Sequence, residues 1–252
     1  MVAEIPILNN IHIHGRFHKL VLGSPELALL SKPGQFLHLQ VADSIQPLLR
    51  RPFSIYKTTK TSVEILYEVI GLGTEILSKR KAGELINSHG PLGNSFSESL
   101  TNKKPLLVGG GIGIAPLLFL GERLIAGGLE PEAILGFRTV DDIVGTEDFE
   151  QAGIKCQITT NDGSYGLKGF VTDAMDSFLD SDHKVFCCGP VPMLAAISDL
   201  SSQRGTECEV SIHNFMGCGF GACLGCVFPT EDGYKRVCKD GPVFDSKNLV
   251  FG

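Results

Sequence analysis

Residues 105–128, PLLVGGGIGIAPLLFLGERLIAGG, decide the fold. The apolar run PLLVG reads as a buried strand. It passes through Gly109-Gly110-Gly111-Ile112-Gly113 and continues as a helix, with Pro116 in the first turn. Downstream, EAILGF (132–137), KCQITT (155–160) and KVFCCG (184–189) read as strands. FVTDAMDSFL (170–179) and a stretch from about Pro192 to Ser202 read as helices. This alternation predicts a doubly wound parallel sheet, with a ligand at the carboxyl ends of its strands. Cys188-Gly189-Pro190 closes one of those strands and is either part of such a site or a buried cysteine and a turn. The glycine run does not match G-x-G-x-x-G in register, so the usual dinucleotide fingerprint is absent.

Working outward, the chain changes character at Asn102-Lys103-Lys104-Pro105. Before it, β-rich stretches such as QFLHLQV (35–41) and SVEILYEVI (62–70) are separated by KPGQ, GLG and HGPLGN, which predicts a small antiparallel β-barrel. After Gly205 the helical periodicity stops, and glycine and cysteine dominate. The expected organisation is therefore three domains: a barrel over 1–101, an α/β domain over 102–204 and a small unit over 205–252. A unit of that last size gains stability from a metal centre.

The 252 residues are 43% hydrophobic, and 22 Lys+Arg against 28 Asp+Glu give a net charge of −6. That balance argues against phosphate-dominated nucleic-acid binding. No run approaches the ~20 apolar residues of a membrane span, and MVAEIPILNN lacks the features of a signal peptide, so a cytoplasmic protein is expected.

Four of the eight cysteines fall in MGCGFGACLGCVFPTEDGYKRVCKDGP as Cys218-x4-Cys223-x2-Cys226-x11-Cys238. The spacing matches the way plant-type ferredoxins bind a [2Fe–2S] cluster with four thiolates. The surrounding glycines let the backbone close around the inorganic core and aim N–H groups at its sulfurs. A structural zinc site is the competing interpretation, but zinc ribbons usually present two C-x2-C knuckles and this segment has one. Cys156, Cys187 and Cys208 read as small buried residues. The histidines (His12, His14, His18, His38, His89, His183, His213) show no metal or triad spacing, and none is assigned a catalytic role.

Arg50-Arg51-Pro52-Phe53-Ser54 combines a guanidinium suited to pyrophosphate with a hydroxyl able to reach a flavin edge, although two arginines alone are commonly a solvated surface. Gly71-Leu72-Gly73-Thr74 precedes the helix-like TEILSKRK, so Thr74 is expected to cap a helix facing an anion, or simply to cap a helix.

RPFS, GxGT, GGGIGIAP and CGP, in that order, resemble the ferredoxin–NADP reductase superfamily. With the cysteine segment, and with HGPLGNSF (89–96), NDGSYGLKGFVTD (161–173) and CKDGPVFD (238–245), the chain is similar to the electron-transfer subunits of class B dihydroorotate dehydrogenases over nearly its whole length. The resemblance implies FAD in the barrel, NAD(H) in the α/β domain and [2Fe–2S] on Cys218, Cys223, Cys226 and Cys238. Arg51, Pro52, Phe53 and Ser54 would hold the flavin, with Leu66, Tyr67 and Glu68 lining it through their strand and Gly73 and Thr74 at its phosphates. Gly110, Gly111 and Gly113 would let NAD approach the sheet, with Cys188, Gly189 and Pro190 near the nicotinamide. The implied partner is an FMN-containing catalytic subunit that oxidises dihydroorotate in pyrimidine biosynthesis, in a two-plus-two heterotetramer. NAD is expected over NADP because Thr160-Asn161-Asp162 ends its strand with a carboxylate that would repel a 2′-phosphate, although Arg138 follows the preceding strand.

Two departures stand out. Ser211-Ile212-His213-Asn214-Phe215-Met216 replaces a more charged stretch, and Glu68 stands where a basic residue is common. Phe215, Met216, Phe220 and Leu224 are expected either to form an apolar rim that docks the partner or to be the core of the small unit. A diaphorase subunit of a hydrogenase or transhydrogenase complex and a zinc-stabilised binding module are the rival functions.

Overall fold

A computed structural model describes residues 1–176 and 179–252. The first unit contains β1 (Val2–His14), β2 (Phe17–Gly23), α1 (Pro25–Leu30), β3 (Phe36–Gln40), β4 (Arg51–Ser54), β5 (Lys57–Thr58), β6 (Ser62–Glu68), α2 (Leu72–Ser78) and β7 (Leu85–Leu92). Its strands pair antiparallel in the order β4-β3-β7-β1-β2-β6-β5. The sheet rolls so that β4 returns against β6, giving the expected barrel. Leu37 and Leu39 point into its interior. On the same strand Phe36 and His38 face the other way and are still buried, because the cysteine-rich segment covers them.

The second unit supplies β8 (Lys104–Gly110), α3 (Ala115–Ala126), β9 (Glu132–Phe137), α4 (Thr146–Gln151), β10 (Lys155–Thr160), β11 (Leu167–Lys168), α5 (Val171–Asp176), β12 (His183–Cys188) and α6 (Val191–Gln203). Helices cover both faces of a parallel sheet. Ser177 and Phe178, in the stretch read as a helix over 170–179, lie outside the described residues. One apolar cluster joins Phe17, Tyr56 and Leu66 of the barrel to Ile114, Leu117 and Leu118, so the two units share a core at their junction.

The sheet runs past the boundary drawn at 204. Strand β13 (Glu207–Ser211) pairs parallel with β12, and β16 (Val243–Asp245) adds antiparallel to β13. The order is β11-β10-β9-β8-β12-β13-β16. Val210 is fully buried and Cys208 nearly so, which explains why a strand forms where helical periodicity has ended. The rest of the tail is the hairpin β14 (Val227–Thr230) and β15 (Gly233–Arg236), followed by the short helix α7 (Val237–Asp240). Among the described residues, no helix is long and apolar enough to cross a membrane.

Candidate functional site

Between the barrel and the carboxyl ends of β8 and β12 lies a cleft of about 600 Å³. Its α/β wall includes Gly110, Gly111, Gly113, Gly189 and Pro190, and Arg16 and Glu68 stand on the barrel side. The glycines answer a packing demand. A Cβ on Gly113 would lie 2.5 Å from the carbonyl oxygen of Cys188, and the backbone there has no room to yield. Gly111 takes φ +54°, the left-handed region that glycine tolerates. The turn thus packs closely on the end of β12 and lines the cleft, where a strand-to-helix turn can receive phosphate groups.

Cys188 is not itself on the cleft wall. Its side chain is fully buried beneath the turn, and burial pushes its pKa up to about 12, which keeps it a thiol. Asp162 also departs from its expected role. Its carboxylate accepts hydrogen bonds from Ser164 N (3.0 Å) and Oγ (2.6 Å), whereas Asn161 and Arg138 line the cleft. The two cleft-facing groups are therefore an amide and a guanidinium.

The flavin candidates converge from three elements. Arg51, Pro52, Phe53 and Ser54 form β4, and Leu66, Tyr67 and Glu68 end β6. The rings of Phe53 and Tyr67 meet edge to face at 5.8 Å. Arg51 Nε lies 2.8 Å from where a Gly73 Cβ would stand, so the guanidinium packs on α2 only because that residue is glycine. Pairing with β5 reaches only to Glu64, so residues 66–68 present a strand edge with no strand partner on that side among the described residues. The Leu66 and Tyr67 side chains are core, and that backbone edge is what they offer a ligand.

Two side chains behave differently from expectation. Thr74 is the third residue of α2 rather than its cap. Its Oγ1 accepts from Ile70 N (3.0 Å) and Gly71 N (3.3 Å), which fixes the turn ahead of the helix. Glu68 is ion-paired with Arg16, which also bonds Asp142 at 2.9 Å across the domain junction. The cation missing at position 68 is thus present from the β1–β2 turn.

The four cysteines act on one another's ionisation two by two, Cys223 on Cys218 and Cys226 on Cys238. Among the described residues no three metal-binding side chains converge on a point that would hold one ion. Backbone N–H groups aim at the sulfurs: Ala222 N to Cys218 Sγ (3.3 Å), Gly225 N to Cys223 Sγ (3.4 Å) and Cys238 N to Cys226 Sγ (3.4 Å). Burial works against ionisation of Cys218. The N–H groups of Cys223, Phe220 and Ala222 more than offset it and hold that thiol down to about 6. Paired soft donors, with N–H groups directed at sulfur, fit a two-iron cluster with two thiolates on each iron.

The cluster loop is braced by the barrel. Gly219, at φ +81°, lies against His38, where a Cβ would come 2.5 Å from Nδ1. Register places His38 opposite Pro52, so one strand separates the cysteine loop from β4. Phe215, Phe220 and Leu224 are exposed around the loop, whereas Met216 is buried in a second apolar cluster, with Phe36 of the barrel and Val108 of the parallel sheet. The apolar rim therefore has three of its four expected members.

His213 is the residue that sequence reasoning missed. It follows the end of β13 and enters the cleft, with Nε2 3.0 Å from Ser54 Oγ and 3.8 Å from Cys188 Sγ. The available signal was positional, since a polar residue just past a parallel strand stands where ligands bind in open α/β sheets. Reading it required recognising ECEVS as a strand.

Comparison with known proteins agrees with this geometry. Residues 213–250 match the family model of the iron–sulfur cluster binding domain of dihydroorotate dehydrogenase B. The chain is 42% identical over 253 aligned positions to the dihydroorotate dehydrogenase B (NAD(+)) electron transfer subunit of Bacillus mycoides, covering 97% of this chain and 96% of that protein. It is 40% identical, at the same coverage, to that of Bacillus cereus. Among solved structures it is similar to an NADH-dependent reduced ferredoxin–NADP oxidoreductase, with TM-score 0.86, 27% identity, and coverage of 99% of this chain and 90% of that one. The cytochrome b5 reductase domain of Ulva prolifera nitrate reductase shares the fold, with TM-score 0.68, 17% identity, and coverage of 82% and 94%.

Proposed function

The chain belongs to the family of dihydroorotate dehydrogenase B electron transfer subunits, and we propose that it takes electrons singly from an FMN-containing catalytic partner and delivers them in pairs to NAD+. The route runs through [2Fe–2S] on Cys218, Cys223, Cys226 and Cys238 to FAD on β4, β6 and α2. In this reading it is an oxidoreductase subunit of pyrimidine biosynthesis, working in the reducing cytoplasm in a two-plus-two heterotetramer. Dihydroorotate is oxidised in the partner.

The observation that carries the proposal is the order of the three sites. The cysteine loop rests on His38, His38 is paired with Pro52 of β4, and Ser54 at the end of β4 is hydrogen-bonded to His213, which lines the cleft. Bound FAD supplies the conversion between single electrons and a hydride. The protein's part is placement. Arg51 offers a fork for the pyrophosphate, the unpaired edge of residues 66–68 offers backbone bonds to the flavin ring, and the Gly110–Gly113 turn receives the dinucleotide phosphates. Phe215, Phe220 and Leu224 bring the partner's cofactor close to the cluster by docking its surface. The closed Arg16 contacts with Glu68 and Asp142 hold the two walls of the cleft in register.

The test is anaerobic mixing of the two subunits with dihydroorotate and NAD+. NADH forms with the complete pair, and a Cys223→Ser subunit stops it while orotate formation on an artificial acceptor continues in the partner. NADH formation undiminished by that substitution would contradict the route.

A further inference from the structure

His38 is fully buried, and neither its Nδ1 nor its Nε2 has a hydrogen-bond partner among the described residues. A buried polar group left without a partner costs stability, so such a group calls for a physical explanation. An apolar side chain would fill the place without that cost, as Phe36 does two residues earlier on the same face of β3. The ring stands where three elements meet. Register sets it between Pro52 of β4 and His89 of β7, and the cysteine loop closes over it.

The loop is shaped to receive the ring. Nδ1 is the atom nearest to where a Cβ on Gly219 would stand, at 2.5 Å, and Gly219 directly follows Cys218. The Cys218 backbone is itself close enough to act on the ring electrostatically. We propose that His38 sets the potential of the iron–sulfur centre: its ring donates a hydrogen bond to the sulfur of that centre and so favours the reduced state. The inference rests on the cluster reading above and adds a residue to it.

The physical effect has a fixed direction. An imidazole keeps at least one N–H in either charge state, so a donor is always present. Reduction adds one electron and makes the cluster sulfurs more negative, and a donor aimed at them is worth more after the electron arrives than before. No proton moves and no bond breaks, and only the balance between the oxidised and reduced states shifts. The N–H groups of Ala222, Gly225 and Cys238 already meet the sulfurs from within the tail. His38 differs because the barrel supplies it, from the strand paired with β4. The centre is therefore poised for electron transfer only when the tail is seated against the strands that carry the flavin residues.

The test uses the full chain loaded with flavin and cluster, as wild type, His38→Leu and His38→Gln. The first readout does not depend on a variant folding. With the heavy nitrogen isotope placed only in histidine rings, pulsed electron paramagnetic resonance of the reduced wild-type cluster should show a nitrogen coupling, and His38→Leu should lack it. Redox titration is the second readout. His38→Leu should disfavour the reduced cluster about tenfold, a fall of about 59 mV for one electron, with the flavin potential unmoved. His38→Gln keeps an N–H and should recover most of that loss. Absence of a histidine coupling in the wild type, a coupling that survives in His38→Leu, an unchanged cluster potential in iron-loaded His38→Leu, or an equal shift of cluster and flavin would overturn the proposal. Where His38→Leu fails to hold iron, the wild-type coupling alone decides. A chain with no two-iron signal would overturn the cluster reading and this inference with it, whereas an intact signal without histidine coupling would overturn this inference alone.

Discussion

Asn94 pairs with Val243 at two points: its Oδ1 accepts from Val243 N at 2.9 Å, and its Nδ2 donates to Val243 O at 2.8 Å. Through this one amide the end of β7 holds the strand that follows the fourth cysteine. The Asn94 backbone N–H adds a 2.7 Å bond to Gly241 O. Asn94→Ala leaves two partly buried backbone groups of Val243 unpaired, which costs about 2 kcal/mol. A lowered denaturation midpoint together with reduced iron content is expected, and unchanged values of both would show the pairing to be incidental.

Gly113→Ala places a methyl group against the Cys188 carbonyl, where neither backbone can yield. The expected result is a loss of about 2 kcal/mol in stability and a weakening of NADH binding by about tenfold, with flavin content retained. Ligand titration and flavin absorbance separate the two effects. Loss of flavin in parallel with NADH would mean the barrel itself is disturbed.

Asp148 joins the barrel to α4. It accepts hydrogen bonds from Lys19 Nζ at 2.8 Å and Tyr56 Oη at 2.6 Å. Burial alone would raise its pKa, but these bonds more than offset it and hold the carboxyl below its ordinary 3.8. Because the folded pKa is depressed, the stabilisation is complete above that value and is lost as pH falls through the lower folded one. Asp148→Asn should therefore cost about 1–3 kcal/mol at neutral pH and almost nothing in strong acid. Urea unfolding at both pH values checks this, and a pH-independent difference would contradict it.

Phe220 is exposed beside the cysteine loop, with its ring 6.0 Å from that of His89. Phe220→Asp should weaken binding to the FMN subunit about tenfold, measured by co-purification and titration, while NADH-dependent dye reduction persists. Collapse of both would place the ring in the structural core.

Much of this fold was legible because it rests on local signals. The PLLVGGGIGIAP turn, the alternation after it and the cysteine spacing each lie within a few residues of chain and carry their own chemistry. What sequence did not reveal depends on distant partners. Glu207–Ser211 joins the sheet because β12 presents an open edge, and no periodicity announces that pairing. His213 follows from the same strand, since only its parallel placement carries the residue into the cleft. Thr74 and Asp162 were recognised as notable, but each spends its polar atoms on the adjacent turn. Position 68 posed the converse problem, because its acidic side chain makes sense only once Arg16 is seen beside it.

The central claim is that the tail binds a two-iron cluster feeding a flavin, and electron paramagnetic resonance of the anaerobically prepared, chemically reduced chain tests it most directly. The account predicts the rhombic signal of a single reduced [2Fe–2S] centre, abolished by Cys223→Ser. A silent spectrum from protein carrying stoichiometric zinc would contradict it.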